Sequence, residues 1–173
     1  FFGTGNCNTS PAGWTRFTEA LVAVSLDDGS LEWRYQPHEP NNDDLDFGGA
    51  PNLFRADGTD LVGLGNKDGR YYAVDRESGR LVWEAPVTEP GLEEPGGNFS
   101  TGGFIGPTAV VPVADGGGSP PAIVGGTGVG PCPCLHGIDA ATGEIAWQQE
   151  VAAPTYAATA AVPGVAFVGG TDF

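Results

Sequence analysis

The chain has 173 residues and a formal charge of −15, from 22 acidic against 7 basic side chains. That balance excludes nucleic acid, which needs a basic footprint, and disfavours anionic membrane surfaces as partners; no apolar run is long enough to span a bilayer. Gly (29) and Pro (15) reach a level that can signal disorder, but 40% of the residues are apolar and fall in short, strand-sized runs bounded by turn residues, so the class is all-β with many tight turns.

In chain order, the first element is FFGTGN (Phe1 to Asn6), an apolar strand running into a Gly-rich turn. A second strand leads into AVSLDDGSLEW (Ala23 to Trp33), where a polar turn ends in Gly29 and Trp33 follows four residues later. After the acidic stretch NDDLDFGGAP (Asn42 to Pro51), the same order returns as LVGLGN (Leu61 to Asn66) and AVDRESGRLVW (Ala73 to Trp83). It returns again as AIVGGTG (Ala122 to Gly128) and GIDAATGEIAW (Gly137 to Trp147), and AFVGGTD (Ala166 to Asp172) starts a further copy. The Gly residues recur after 50 and then 64 residues, a period that suits a four-stranded propeller blade. The copies fall around 1–37, 61–87, 122–151 and 164–173, giving a partial β-propeller of roughly three four-stranded antiparallel blades. Both ends read as cuts through a longer repeating structure.

Within each copy the turn Gly supplies a positive φ. Asp75, Asp139 and, more weakly, Ser25 can hydrogen-bond the backbone of their own turns. One Trp at a fixed place per repeat is expected to pack neighbouring blades together rather than to touch a ligand. Cys132 and Cys134 form C-P-C, too close for an unstrained mutual bridge and a poor match to zinc spacing. His38 and His136 are expected to be structural.

The pattern GIDAATGEIAW resembles the docking motif of propellers of the pyrroloquinoline-quinone (PQQ) dependent alcohol dehydrogenase family, and the resemblance extends to its polyvinyl alcohol dehydrogenase branch. Three further stretches carry it over about 80 consecutive residues. FGTGN resembles the strand-turn whose terminal Asn, here Asn6, ligates calcium. NDDLDFGGAP resembles the segment of the catalytic base, here Asp46, with Asp43 and Asp44 as fallbacks; Leu45 stands where the family often has Trp. NKDGRYYAVDR (Asn66 to Arg76) resembles the stretch whose Lys, here Lys67, contacts the quinone.

The resemblance implies an eight-bladed ring, a periplasmic or extracellular location, and the cofactors PQQ and Ca²⁺. It implies oxidation of a small or polymeric alcohol, with a cytochrome or other electron acceptor as partner. Asp46 would be base and metal ligand together with Asn6, and Lys67, Asn66 and Asn98 would contact the cofactor. The rest of the ring, and with it half of the site, would come from sequence outside the chain, so the fragment alone is expected to be inactive. The rival reading is a non-catalytic propeller that uses the same repeat as a protein-interaction scaffold. The repeat also places Asn6 and Asn66 at equivalent ends of successive Gly-rich turns, so Asn6 and Lys67 are expected to converge near the ring axis, and Cys132 falls in the corresponding turn of the third copy.

Overall fold

The computed structural model describes residues 1–5, 15–39, 45–88, 93–94, 98–99, 109–111, 121–126, 134–152, 155 and 157–170. Every regular element among them is a β-strand. The first sheet runs β1 (Phe2–Gly3), β2 (Leu21–Val24), β3 (Leu31–Tyr35) in spatial order. The second runs β4 (Asn52–Ala56), β5 (Thr59–Gly65), β6 (Arg70–Asp75), β7 (Leu81–Pro86). A short pair, β8 (Glu93–Glu94) and β9 (Asn98–Phe99), precedes the third sheet. That sheet runs β10 (Ala109–Val111), β11 (Ala122–Gly126), β12 (Cys134–Asp139), β13 (Ile145–Glu150). A hairpin, β14 (Ala160–Val162) and β15 (Val165–Phe167), follows. All pairings are antiparallel between consecutive strands. β10 lies beside β4 on one side and β14 on the other. The first strands of the second sheet, the third sheet and the hairpin are thus neighbours, the arrangement of blades around an axis.

The three repeats fold alike to the level of single hydrogen bonds. The register shifts by one residue at Ala23/Val24, Ala73/Val74 and Gly137/Ile138, a bulge at the same place in each sheet. The turns that follow are closed by Gly29 N–H to Ser25 O, Gly79 N–H to Asp75 O and Gly143 N–H to Asp139 O. The three Gly residues have φ of 74°, 68° and 76°. Asp75 Oδ1 accepts from the Ser78 hydroxyl and amide, which hold its carboxyl below the usual carboxylate value. Asp139 Oδ1 accepts from the amides of Ala141 and Thr142.

Trp33 and Trp83 cross to the next sheet. Trp33 Nε1–H donates to Arg76 O at 3.0 Å, and Trp83 Nε1–H donates to Ala140 O at 3.2 Å. The rings lie on the turn glycines: a Cβ on Gly79 would meet Trp33 at 2.6 Å, and one on Gly143 would meet Trp83 at 2.6 Å. Gly143 therefore answers two demands, a left-handed backbone and a ring in contact with it. Gly29, at φ 74°, has nothing within 4 Å of such a Cβ. Gly29→Ala is expected to lose only the backbone contribution, about 1–2 kcal/mol, and Gly143→Ala clearly more. Urea unfolding of the two variants checks this, and equal losses would show that the ring contact adds nothing.

Two apolar clusters fill the gaps between sheets. Leu21, Phe47, Val62, Leu64, Tyr72 and Val74 pack between the first and second. Phe54, Leu61, Tyr71, Trp83, Ile123 and Ile138 are among those between the second and third. β5 and β6 are covered on both faces, which is why LVGLG and YYAV read as unbroken apolar runs instead of alternating.

β12 carries His136, fully buried opposite Gly125 and Gln148, with no hydrogen-bond partner at either ring nitrogen among the described residues. Burial pushes its pKa down to about 4, from an ordinary 6.5. Between those values the unfolded chain binds a proton that the folded chain refuses. The stability held above pH 6.5 is therefore lost as pH falls toward 4, by about 2 kcal/mol at pH 5. The drop in unfolding free energy from pH 7 to pH 5, read from urea titrations, is expected to shrink by that amount in His136→Leu; an unchanged drop would assign the acid sensitivity to other groups.

Candidate functional site

The Gly-rich turns that end β1 and β5 come together at the end of the sheets where a third segment, Leu45-Asp46-Phe47, runs between the first and second sheets. Short-range chemistry fixes this segment from both sides. Phe47 N–H donates to Thr4 O at 3.2 Å, and Lys67 N–H donates to Asp46 O at 3.0 Å. Phe47 and Leu45 are buried, Phe47 against Tyr72 and Leu64. Gly3 is required here, since a Cβ would stand 2.6 Å from that of Phe47.

Asp46, held at this crossing, forms an ion pair with Lys67: Nζ lies 2.8 Å from Oδ2. The two side chains are 22% and 16% exposed, so the pair is shielded yet open on one side. Gly5 packs against the carboxylate, and a Cβ there would sit 3.0 Å from Asp46 Oδ1. Asn6, the expected metal ligand, lies outside the described residues, next in the chain to Gly5. The fallbacks Asp43 and Asp44, as well as Cys7 and Cys132, also lie outside them. Asn98 is in β9, its side chain outside the description.

Asn66 is 1% exposed, and its carboxamide is engaged within the protein. Nδ2–H donates to Leu45 O at 2.8 Å, and Oδ1 accepts from Asp68 N–H at 2.9 Å. His38 Nε2 stands 3.3 Å from the same Oδ1 and 3.2 Å from Asp68 Oδ2. Burial works against a charge on His38, but the hydrogen bond and charge of Asp68, with Asn66 and Glu19, leave its pKa above the ordinary value. The Tyr72 hydroxyl donates to Asp68 Oδ2. Burial, then Asp68, raises the pKa of Tyr72, and burial, then Glu84 and Asp68, pushes Tyr35 up to about 12.

The sequence reading expected Asn6 and Lys67 to converge; Asn6 lies outside the described residues, and Lys67 meets Asp46, which the resemblance named as the base. It missed Glu19, Asp68 and Tyr72 and set His38 aside as structural. Among the described residues no group of three or more His, Cys, Asp and Glu could hold a metal ion. A surface cleft of about 350 Å³ lined by Gly58, Thr59, Asp60, Asp75, Arg76 and Glu77 lies at the opposite end of the second sheet, away from this chemistry. Among the described residues no helix is long and apolar enough to cross a membrane.

Consecutive antiparallel sheets, joined by Trp-on-Gly contacts and sharing an axial edge, make this part of a β-propeller of the PQQ-like kind. The chain belongs to the family described as the glucose/ethanol/alcohol dehydrogenase β-propeller domain (PQQ), whose model matches residues 7–97, more than half of its length. No curated protein matches it. Among solved structures it is similar to BamB from Moraxella catarrhalis, at 21% identity and a TM-score of 0.50, over 81% of this chain and 37% of that one. The chain thus spans little more than a third of that structure, and the likeness concerns the fold.

Proposed function

We propose that this chain is part of a PQQ- and calcium-dependent alcohol dehydrogenase of the periplasm or cell exterior. The observation that carries this reading is the 2.8 Å Asp46–Lys67 pair, set between two blades at their axial end with the Gly5 turn against it. The residues fit the cofactor and metal. A carboxylate and an amide oxygen are the hard donors that Ca²⁺ prefers, an ammonium suits a quinone that becomes anionic, and Gly5 keeps the approach to Asp46 clear of a side chain.

PQQ, when bound, supplies the two-electron hydride acceptor. Asp46 takes the hydroxyl proton of the alcohol as general base. Lys67 holds the carboxylate in place through Oδ2 and presents its positive charge where negative charge grows. Asn6 and Asp46 would hold the metal, Lys67 and Asn98 would face the cofactor, and Asn66 supports them by fixing the backbone before Asp46. The alcohol leaves as a carbonyl compound, its two electrons passing on to a cytochrome or other acceptor. In the polyvinyl alcohol branch the substrate would be polymeric or secondary.

The likeness to BamB favours a second reading, a non-catalytic propeller acting as a protein-interaction scaffold. PQQ binding to the full-length protein, with and without Ca²⁺, separates the two when followed by absorbance and by dye reduction with alcohols. Calcium-dependent binding with turnover is expected. No binding at micromolar PQQ would leave the scaffold reading.

A further inference from the structure

We propose that Glu19, directly, and His38, through Asn66, are positioning residues that hold the Leu45 backbone between the two flanking blades and thereby aim Asp46 at Lys67. The proposal rests on the reading of Asp46 and Lys67 as the working pair. Both polar groups of the Leu45 backbone, immediately before Asp46, are taken by buried side chains. From the first blade, Glu19 Oε1 accepts Leu45 N–H at 3.3 Å. From the second, Asn66 donates to Leu45 O at 2.8 Å.

Glu19 is 2% exposed and sits at φ 49°, a left-handed conformation that a residue with a side chain adopts only at a cost. Burying a carboxylate is also costly unless it is well partnered. The backbone cost is borne at the residue whose own N–H donates to Gly5 O, the turn beside Asp46. On the other side Asn66 is aimed by a relay. Asp68 N–H and His38 Nε2 meet its Oδ1, and Asp68 Oδ2 takes His38 and the Tyr72 hydroxyl. His38 follows β3 in the first blade, so it ties that blade to the turn carrying Lys67. A layer that merely filled the interface would have no reason to converge on one residue's backbone; here Glu19 and Asn66 close on Leu45, and His38 and Asp68 stand behind Asn66.

Lys67 is the only lysine in these 173 residues. Its methyl resonance after reductive ¹³C-methylation, assigned by its loss in Lys67→Arg, reads the Asp46 pair without any cofactor. In the full-length protein, Glu19→Ala is expected to move that resonance toward a free lysine. With PQQ and Ca²⁺ loaded, it is expected to lower kcat about tenfold to a hundredfold with KM for the alcohol within about twofold. Glu19→Gln, which keeps an acceptor for Leu45 N–H, is expected to restore both, and His38→Ala to shift both partway. If Glu19→Ala does not fold, Glu19→Gly, which relieves the left-handed backbone, takes its place.

A folded Glu19→Ala with the wild-type resonance and kcat overturns the proposal. So does a Glu19→Gln as damaged as Glu19→Ala, since charge rather than the hydrogen bond would then matter. If the protein neither binds PQQ nor turns over, the dehydrogenase reading fails by itself. The lysine resonance still decides the clamp: moved in Glu19→Ala it supports the clamp, unmoved it overturns it.

Discussion

Asp46→Asn is expected to lower kcat for alcohol oxidation by the full-length enzyme by about 10²- to 10⁴-fold, the usual contribution of a positioned base. Asn has the shape of Asp, and the substitution leaves the backbone contacts of the segment in place. Leu45 remains held by Glu19 and Asn66, Asp46 O by Lys67 N–H, and Phe47 N–H by Thr4 O. What is lost is the proton acceptor and the charge facing Lys67. Stability should change by less than about 1 kcal/mol, because a partly exposed ion pair contributes little. Stopped-flow reduction of bound PQQ by the alcohol, together with a urea midpoint, separates the two effects. Reduction at the wild-type rate would remove Asp46 from the role of base, and a large loss of stability would make the pair structural.

Asp46 and Lys67 were legible because a short repeat and a short motif place them: the Gly-rich turn fixes where Lys67 lies, and the frame Asp-Phe-Gly-Gly fixes which carboxylate enters the crossing. The blades were legible for a similar reason. Gly29, Gly79 and Gly143 each need a positive φ that the sequence advertises, and a Trp follows at constant spacing. The first strands β4, β10 and β14 were not read as parts of the blades. They are short and carry neither a turn glycine nor a Trp, and their place is set by neighbouring blades. Glu19 and His38 were hidden for a different reason. Each acts through a contact across a blade interface, 26 and 28 residues along the chain from Leu45 and Asn66, and no local pattern marks either. Glu19 also depends on a left-handed backbone, which a sequence suggests for Gly or Asn but not for Glu.

Trp83→Ala is expected to destabilise the protein by about 3–5 kcal/mol, the range for deleting a buried large aromatic. Trp83 is 8% exposed, stacks on Tyr71 at 5.8 Å between ring centroids and lies 6.3 Å from Phe54. Its far edge covers Gly143, and its indole N–H closes on Ala140 O, so one side chain joins the second blade to the turn of the third. Ile123 and Ile138 share the same cluster. The cavity left by Ala cannot readily collapse, because both flanking sheets are held by their own ladders. Trp33→Ala should cost less: its ring is only half-buried, although it covers Gly79 and donates to Arg76 O in the same way. In a repeat architecture stability is carried by interfaces between neighbours. The loss in Trp83→Ala should therefore appear as uncoupling, with a lower and broader urea transition and earlier amide exchange in β11 and β12 than in β5 and β6. A sharp single transition with all four strands exchanging together would mean that the apolar cluster alone couples the blades and that the Trp-on-Gly contact is incidental.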